Sequence, residues 1–126
     1  MARDEEILVV RGRDEELQRL QSAVDGSHWK IHSANTIAEA VGWLGEHQTP
    51  IVLCAAQMLD GSWKDLLGLL RGVIHPPFVA VTSRLADEKL WQEVLDCGGY
   101  TVLPYPPEKK DLFQTISGAR KSWLAG

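Results

Sequence analysis

The chain has 126 residues, the usual length of one domain, and its 44% hydrophobic and 24% charged residues exclude disordered and membrane-spanning classes. Thirteen basic residues against seventeen acidic ones give a net charge of -4, which argues against a broad electrostatic contact with nucleic acid. Residues 1–6 contain no apolar run typical of a signal peptide. We therefore expect a single cytoplasmic domain over residues 1–126, without a membrane segment.

Short apolar runs alternate five times with longer amphipathic segments. The runs predict strands at residues 7–10, 29–32, 51–55, 78–81 and 100–103, and the half-polar second run suits an edge or near-edge position. The segment that follows each run predicts a helix. In chain order, the inner faces of these helices are Leu17, Leu20 and Val24; Ile37, Ala40, Val41 and Leu44; Trp63, Leu66, Leu67 and Leu70; Leu90, Trp91, Val94 and Leu95; and Leu112, Phe113, Ile116 and Trp123.

Helix-start signals support this division. The Thr36 to Glu39 segment predicts a capping box, Ser62 predicts an N-cap, and Pro107 suits the first turn of the last helix. Strands joined by single helices run parallel, and right-handed crossovers place helices on both faces of the sheet. The sequence therefore predicts an α/β fold with a doubly wound, five-stranded parallel sheet, (βα)5, whose binding crevice lies beyond the carboxyl ends of the strands.

Two segments carry a family resemblance. The residues Leu59-Asp60-Gly61 follow the third run, where the family often has a Pro-Asp-Gly turn, and residues 98–106 are similar to its Gly-Ala-x-Asp-Tyr-Leu-x-Lys-Pro motif. With the order and length of the elements, they make essentially the whole chain resemble the CheY-like receiver domain of bacterial two-component response regulators. The resemblance implies a flavodoxin-like, three-layer sandwich and a role in phosphorelay signalling.

The positions that carry phosphorylation chemistry in that family differ in this chain. The resemblance puts Arg11 and Gly12 at the paired magnesium-binding acids, Ala55 at the phosphoacceptor aspartate and Tyr105 at the phosphate-contacting lysine. It puts Val102 at the switching aromatic, and it implies a cis peptide before Pro106. Only the hydroxyl at the end of the fourth strand is kept, as Thr82.

Phosphoryl transfer to a carboxylate needs an acceptor oxygen, a metal ion and a fixed cation, so we expect no phosphorylation, no metal, no cofactor and no enzymatic activity. We hypothesise that the Arg11 guanidinium fills the emptied acidic site. The predicted function is a pseudo-receiver, a protein interaction module that works without phosphate. Two alternatives stay open: an active receiver that uses Asp60 or Asp14, and a small-ligand binder at the strand-end crevice.

The remaining candidates have simpler interpretations. Cys54 and Cys97 lack the paired spacing of a metal site or disulfide framework, and the four histidines match no metal-binding pattern, which predicts structural thiols and solvated imidazoles. The chain is rich in aromatic residues near its end, on the face that receiver domains commonly use for dimerisation and effector contact. The interface candidates, for a second copy or for another signalling protein, are Trp91, Tyr100, Val102, Tyr105 and Trp123.

Overall fold

The computed structural model describes residues 5–10, 14–27 and 29–125. Its central sheet has five parallel strands, β1 (Glu5–Val10), β2 (Trp29–Ala34), β3 (Ile51–Ala55), β4 (Phe78–Ser83) and β5 (Thr101–Pro104). They lie side by side in the order β2-β1-β3-β4-β5. The helices are α1 (Asp14–Val24), α2 (Ile37–Leu44), α3 (Trp63–Leu70), α4 (Glu88–Asp96) and α5 (Lys109–Ala125). The predicted doubly wound α/β fold is confirmed.

Alternate residues of the strands enter two separate apolar cores, because successive side chains of a strand point to opposite faces. Ile7 and Leu53 pack with α1 and α5 in one core. Leu8 and Val52 pack with α2, α3 and α4 in the other. The inner strands are therefore buried on both faces, which explains why they read as continuous apolar runs.

The helix starts match their sequence signals in part. The hydroxyl of Thr36 accepts a hydrogen bond from the Glu39 backbone N–H at 3.1 Å, and Ser62 is the N-cap of α3. The Glu39 carboxylate accepts from the backbone N–H of Asn35 at 2.6 Å and not from that of Thr36, so only one half of the predicted capping box forms. Helix α5 begins at Lys109, so Pro107 precedes the helix and does not lie in its first turn.

The predicted inner face of α4 is wrong in two of its four residues. Val94 is fully buried and Leu90 partly so, but Trp91 and Leu95 are 42% and 44% exposed. The physical reason is the place of α4 in the sandwich. It packs against β5 at the edge of the sheet, and in the described chain no further strand lies beyond β5 to cover these two side chains.

Candidate functional site at the carboxyl ends of the strands

The carboxyl end of β3 presents a methyl group. Ala55 is the last residue of this strand, and its register partner on β4 is Thr82, which in turn pairs with Leu103 of β5. Ala55 and Thr82 are both buried, at 8% and 7% exposure. Arg11 and Gly12 lie outside the described residues, so their predicted roles at this edge carry no structural description.

The Thr82 hydroxyl points into the protein framework. Its Oγ1 donates a hydrogen bond to the carbonyl oxygen of Cys54 at 3.4 Å, across the pairing of β3 and β4. A hydroxyl that already donates its proton inside the sheet has only its oxygen lone pairs left for a ligand. Thr82 therefore links two central strands, whatever else it contacts.

Tyr105 lies at the same end of the sheet, directly after β5. Its backbone N–H donates to the Ser83 carbonyl at 2.9 Å, and the Tyr105–Pro106 peptide bond is cis. The guanidinium of Arg84 lies over the Tyr105 ring, 5.4 Å from its centroid. Sequence reasoning missed Arg84, although its place immediately after β4 marks it as a strand-end residue. A cation and an aromatic ring thus meet at the rim of the crevice.

Cys54 adjoins Ala55 and is fully buried in β3. Burial raises the pKa of its thiol to about 12, because the thiolate would lose its hydration in the apolar core. The thiol therefore stays protonated at neutral pH. This is the behaviour expected of a structural cysteine.

Asp60 lies at the turn of a short hairpin, Gln57–Met58 and Gly61–Ser62, which follows β3. Both of its carboxylate oxygens accept hydrogen bonds from the first turn of α2. Oδ1 accepts from the Ile37 N–H at 2.8 Å, and Oδ2 accepts from the Ala38 N–H at 3.2 Å. Asp60 therefore caps a helix that precedes it by more than twenty residues, a role that its Asp-Gly turn sequence did not reveal.

This capping predicts a pH-dependent stability. The Ile37 N–H, followed by the Ala38 N–H, holds the pKa of Asp60 below its ordinary value of 3.8. A lowered folded-state pKa stabilises the fold above pH 3.8, and the stabilisation disappears as the pH falls through the lowered value. Asp60→Asn should therefore lower the thermal midpoint by a few degrees at pH 7, with a gap from wild type that closes in acid.

The experiment is a series of thermal unfolding curves from neutral to strongly acidic pH, followed by circular dichroism. Glu46→Gln, at an exposed position just after α2, is the control and should shift the midpoint by no more than about 1 °C at neutral pH. A gap between Asp60→Asn and wild type that widens as the pH falls would contradict the capping role.

The predicted interface residues lie in different parts of the structure. Trp91 and Tyr100 line one groove beside β5, and Tyr105 lies at the crevice. Val102 is wrong as an exposed candidate, because its side chain is only 3% exposed and belongs to the core under α4. Trp123 is partly exposed, and its ring stacks on His75 with centroids 3.9 Å apart, so its place in an interface stays a prediction.

The described histidines are stacked on tryptophans, which the sequence did not indicate. His32 and His47 lie against Trp43, with ring centroids 4.8 and 4.5 Å from it. His75 is stacked on Trp123. Trp43 and His47 are four residues apart at the end of α2, a spacing that could have suggested the contact. Across residues 5–10, 14–27 and 29–125, no group of three or more His, Cys, Asp or Glu side chains could hold a metal ion.

No protein-family model and no curated protein sequence matches the chain. Solved structures do. The signal receiver domain of an HD domain-containing protein from Pseudomonas fluorescens Pf-5 is 22% identical, with a TM-score of 0.86 over 99% of this chain and 93% of that one. A two-component response regulator from Clostridium difficile is 18% identical, with a TM-score of 0.81 over 93% and 96%.

The chain has the receiver fold. A third structure, the signal receiver domain of a signal transduction histidine kinase from Syntrophus aciditrophicus, agrees with a TM-score of 0.79 at 18% identity, over 94% of this chain and 91% of that one. In the receiver fold the crevice described above lies at the carboxyl ends of the parallel strands. Among the described helices, none is long and apolar enough to cross a membrane.

Proposed function

We propose that the chain is a receiver-type signalling module that binds a partner protein without being phosphorylated. The observation that supports this most directly is Ala55 at the end of β3, the position of the acceptor aspartate in the resemblance. An alanine side chain has no oxygen to accept a phosphoryl group. Tyr105, at the position of the conserved lysine, is a neutral side chain that cannot offset phosphate charge.

The alternative of a displaced acceptor at Asp60 is disfavoured by its contacts. Both carboxylate oxygens of Asp60 accept N–H groups of α2, which stabilises the carboxylate and directs it toward the helix. Attack on a phosphoryl donor would require this cap to open. The side chain of Asp14 lies outside the part of the chain that the structure describes. The proposal therefore rests on Ala55 and on the engagement of Asp60.

The proposed partner surface is the side of the domain formed by α4, β5 and α5. Trp91 and Leu95 are both more than two-fifths exposed there, on a helix whose adjacent side, with Val94, is in the core. Large apolar side chains exposed together on one side of a helix mark an interaction surface more often than isolated ones do. The partner is a second copy of the chain or another signalling protein.

Incubation with acetyl phosphate and magnesium, followed by intact mass measurement, tests the absence of phosphorylation. We expect an unchanged mass for the wild type and for Asp60→Asn, while a receiver domain with an intact acidic site, treated in parallel, gains one phosphoryl group. A phosphoryl adduct on the wild type that Asp60→Asn abolishes would establish the displaced acceptor and overturn the proposal. An adduct that survives in Asp60→Asn would overturn it as well.

A further inference from the structure

The loop between α3 and β4 contains a residue in a strained backbone conformation. His75 has a φ of 55°, and no other residue except glycine has a positive φ in the part of the chain that the structure describes. This left-handed region is unfavourable for a residue with a Cβ atom. Pro76 follows directly, and the residue before a proline normally has an extended backbone. The surrounding contacts must therefore hold His75 in place.

Two contacts with Trp123, near the end of α5, hold it. The imidazole of His75 stacks on the indole ring, with centroids 3.9 Å apart and planes 4° from parallel. The Nε2–H of His75 donates a hydrogen bond to the carbonyl oxygen of Trp123 at 3.0 Å. This carbonyl lies in the last turn of α5, where no later N–H of the helix reaches it, so the imidazole caps the helix.

The same contact leaves a hydrogen-bond donor without a partner. The Nε1–H of Trp123 is buried and has no acceptor, which is true of no other buried nitrogen or oxygen in the described side chains that are not exposed. A buried N–H without an acceptor is not compensated for the hydrogen bond to water that it loses. Two local costs, the His75 backbone and the Trp123 indole, thus meet at one contact.

The contact also connects the two cores of the domain. Val73, two residues before His75, packs against the core that contains α2, α3 and α4. Ala119, one helical turn before Trp123, is fully buried in the core of α1 and α5. The His75–Trp123 pair therefore links an element of one core to an element of the other. Because His75 lies shortly before β4, the link is at the opposite end of the sheet from the strand-end crevice.

We propose that His75 and Trp123 form a conformational latch. In its closed state the two rings are stacked, and in its open state the last turn of α5 and the indole ring are released while the rest of the domain stays folded. The stacking and the hydrogen bond favour the closed state, whereas the strained φ and the unpaired Nε1–H lower the free energy needed to open it.

Opening changes the surface at this end of the domain. Ile74 and Leu124, the chain neighbours of the two latch residues, are 91% and 60% exposed. Release of the Trp123 ring adds a third apolar side chain beside them, and its Nε1–H then reaches water. The latch acts without phosphorylation and does not depend on the proposed function.

Hydrogen exchange of the ¹⁵N-labelled wild-type chain, followed by NMR at several urea concentrations below the unfolding transition, tests the latch. We expect the Trp123 Nε1–H to have a protection factor at least about tenfold lower than the backbone N–H of Ile116, which is buried in the middle of α5. Its exchange should depend little on urea, because local opening exposes little surface. A smaller difference, or the urea dependence of Ile116, would mean that the latch opens only on global unfolding and would overturn the inference.

Two substitutions of His75 test the strain. His75→Ala removes the ring and keeps a Cβ atom, whereas His75→Gly removes both, so the glycine variant should have the higher thermal midpoint, by about 3 °C or more. Both should lower the Trp123 protection factor by about tenfold or more. At Glu46, an exposed loop residue without a positive φ, the order should reverse, with alanine above glycine. A glycine variant of His75 that is no more stable than the alanine variant would contradict the latch.

Trp123→Phe tests the unpaired donor, because phenylalanine keeps a stacking ring and has no N–H. The thermal midpoint should stay within about 1 °C of wild type or rise. Trp63→Phe is the control, the same change at a tryptophan that is buried in α3, and it should lower the midpoint by about 3 °C or more. A fall for Trp123→Phe as large as that for Trp63→Phe would overturn the role of the indole N–H.

Discussion

Replacing Ile116 by alanine is expected to lower the free energy of unfolding by about 2–5 kcal/mol. Ile116 is completely buried in the middle of α5, within the core that also contains Ile7, Leu53 and Leu112. The shorter side chain leaves a cavity between α5 and the sheet, because packed strands and helices relax only partly around a missing group. Urea unfolding followed by far-ultraviolet circular dichroism measures the loss.

The matched control is Ser117→Ala, one residue later on the exposed side of α5. It should change the free energy of unfolding by less than about 0.5 kcal/mol. Similar losses for the two variants would mean that α5 does not pack on the sheet as described. Helix α5 also lines the groove beside β5, so Ile116→Ala tests whether the core fixes the position of this helix next to the groove.

Replacing Gly99 by alanine is expected to destabilise the domain by about 1–3 kcal/mol. A Cβ atom at this position would lie 2.4 Å from Cγ1 of Val94 and 3.0 Å from the Val94 carbonyl oxygen. Val94 is fully buried, so its side chain cannot swing into solvent. The cost arises from overpacking between the end of α4 and the start of β5, and thermal or urea unfolding reports it.

Gly42→Ala provides a control of opposite sign. Gly42 lies inside α2, where an added Cβ meets no atom within 4 Å, so alanine should stabilise the domain by about 0.5–1 kcal/mol through its higher helix propensity. In the double variant Val94→Ala with Gly99→Ala, the loss should be smaller than the sum of the single losses, because the Cγ1 contact is gone. Additive losses would exclude the steric explanation.

The fold was predictable because each inner strand is buried on both faces. A strand such as Ile51–Ala55 must be apolar at every position, and the helices that cover it must carry apolar residues at helical spacing. The same physics predicted the inner residues of α3, all four of which are buried. Caps such as Thr36 were predictable because they act on N–H groups two or three residues away.

The sequence predictions that differ from the structure have a common physical origin. Spacing along a helix shows which residues share a side, but not whether another element covers them. Trp91 and Leu95 lie beside the edge strand and remain exposed. Trp123, predicted on the inner side of α5, is partly exposed and packs on His75 from a distant loop. Contacts between residues far apart in the sequence, like the capping of α2 by Asp60, leave no local pattern.

The position of the candidate site was predictable from the sequence, but the contacts between its side chains were only partly so. The carboxyl ends of β3 and β4 could be assigned to Ala55 and Thr82 because the apolar runs end there. The contact of Arg84 with Tyr105 depends on how two loops approach each other, which the sequence does not encode locally. The direction of the Thr82 hydroxyl toward the Cys54 carbonyl depends likewise on the register of two strands.

The burial of Cys54 makes the chain convenient for site-specific labelling. The sequence contains two cysteines, and the thiol of Cys54, with its pKa near 12, should resist alkylation in the folded state. A maleimide dye should therefore attach at Cys97, the partly exposed C-cap of α4. A single fluorophore would then be located at the end of the helix that carries Trp91, without any engineered substitution.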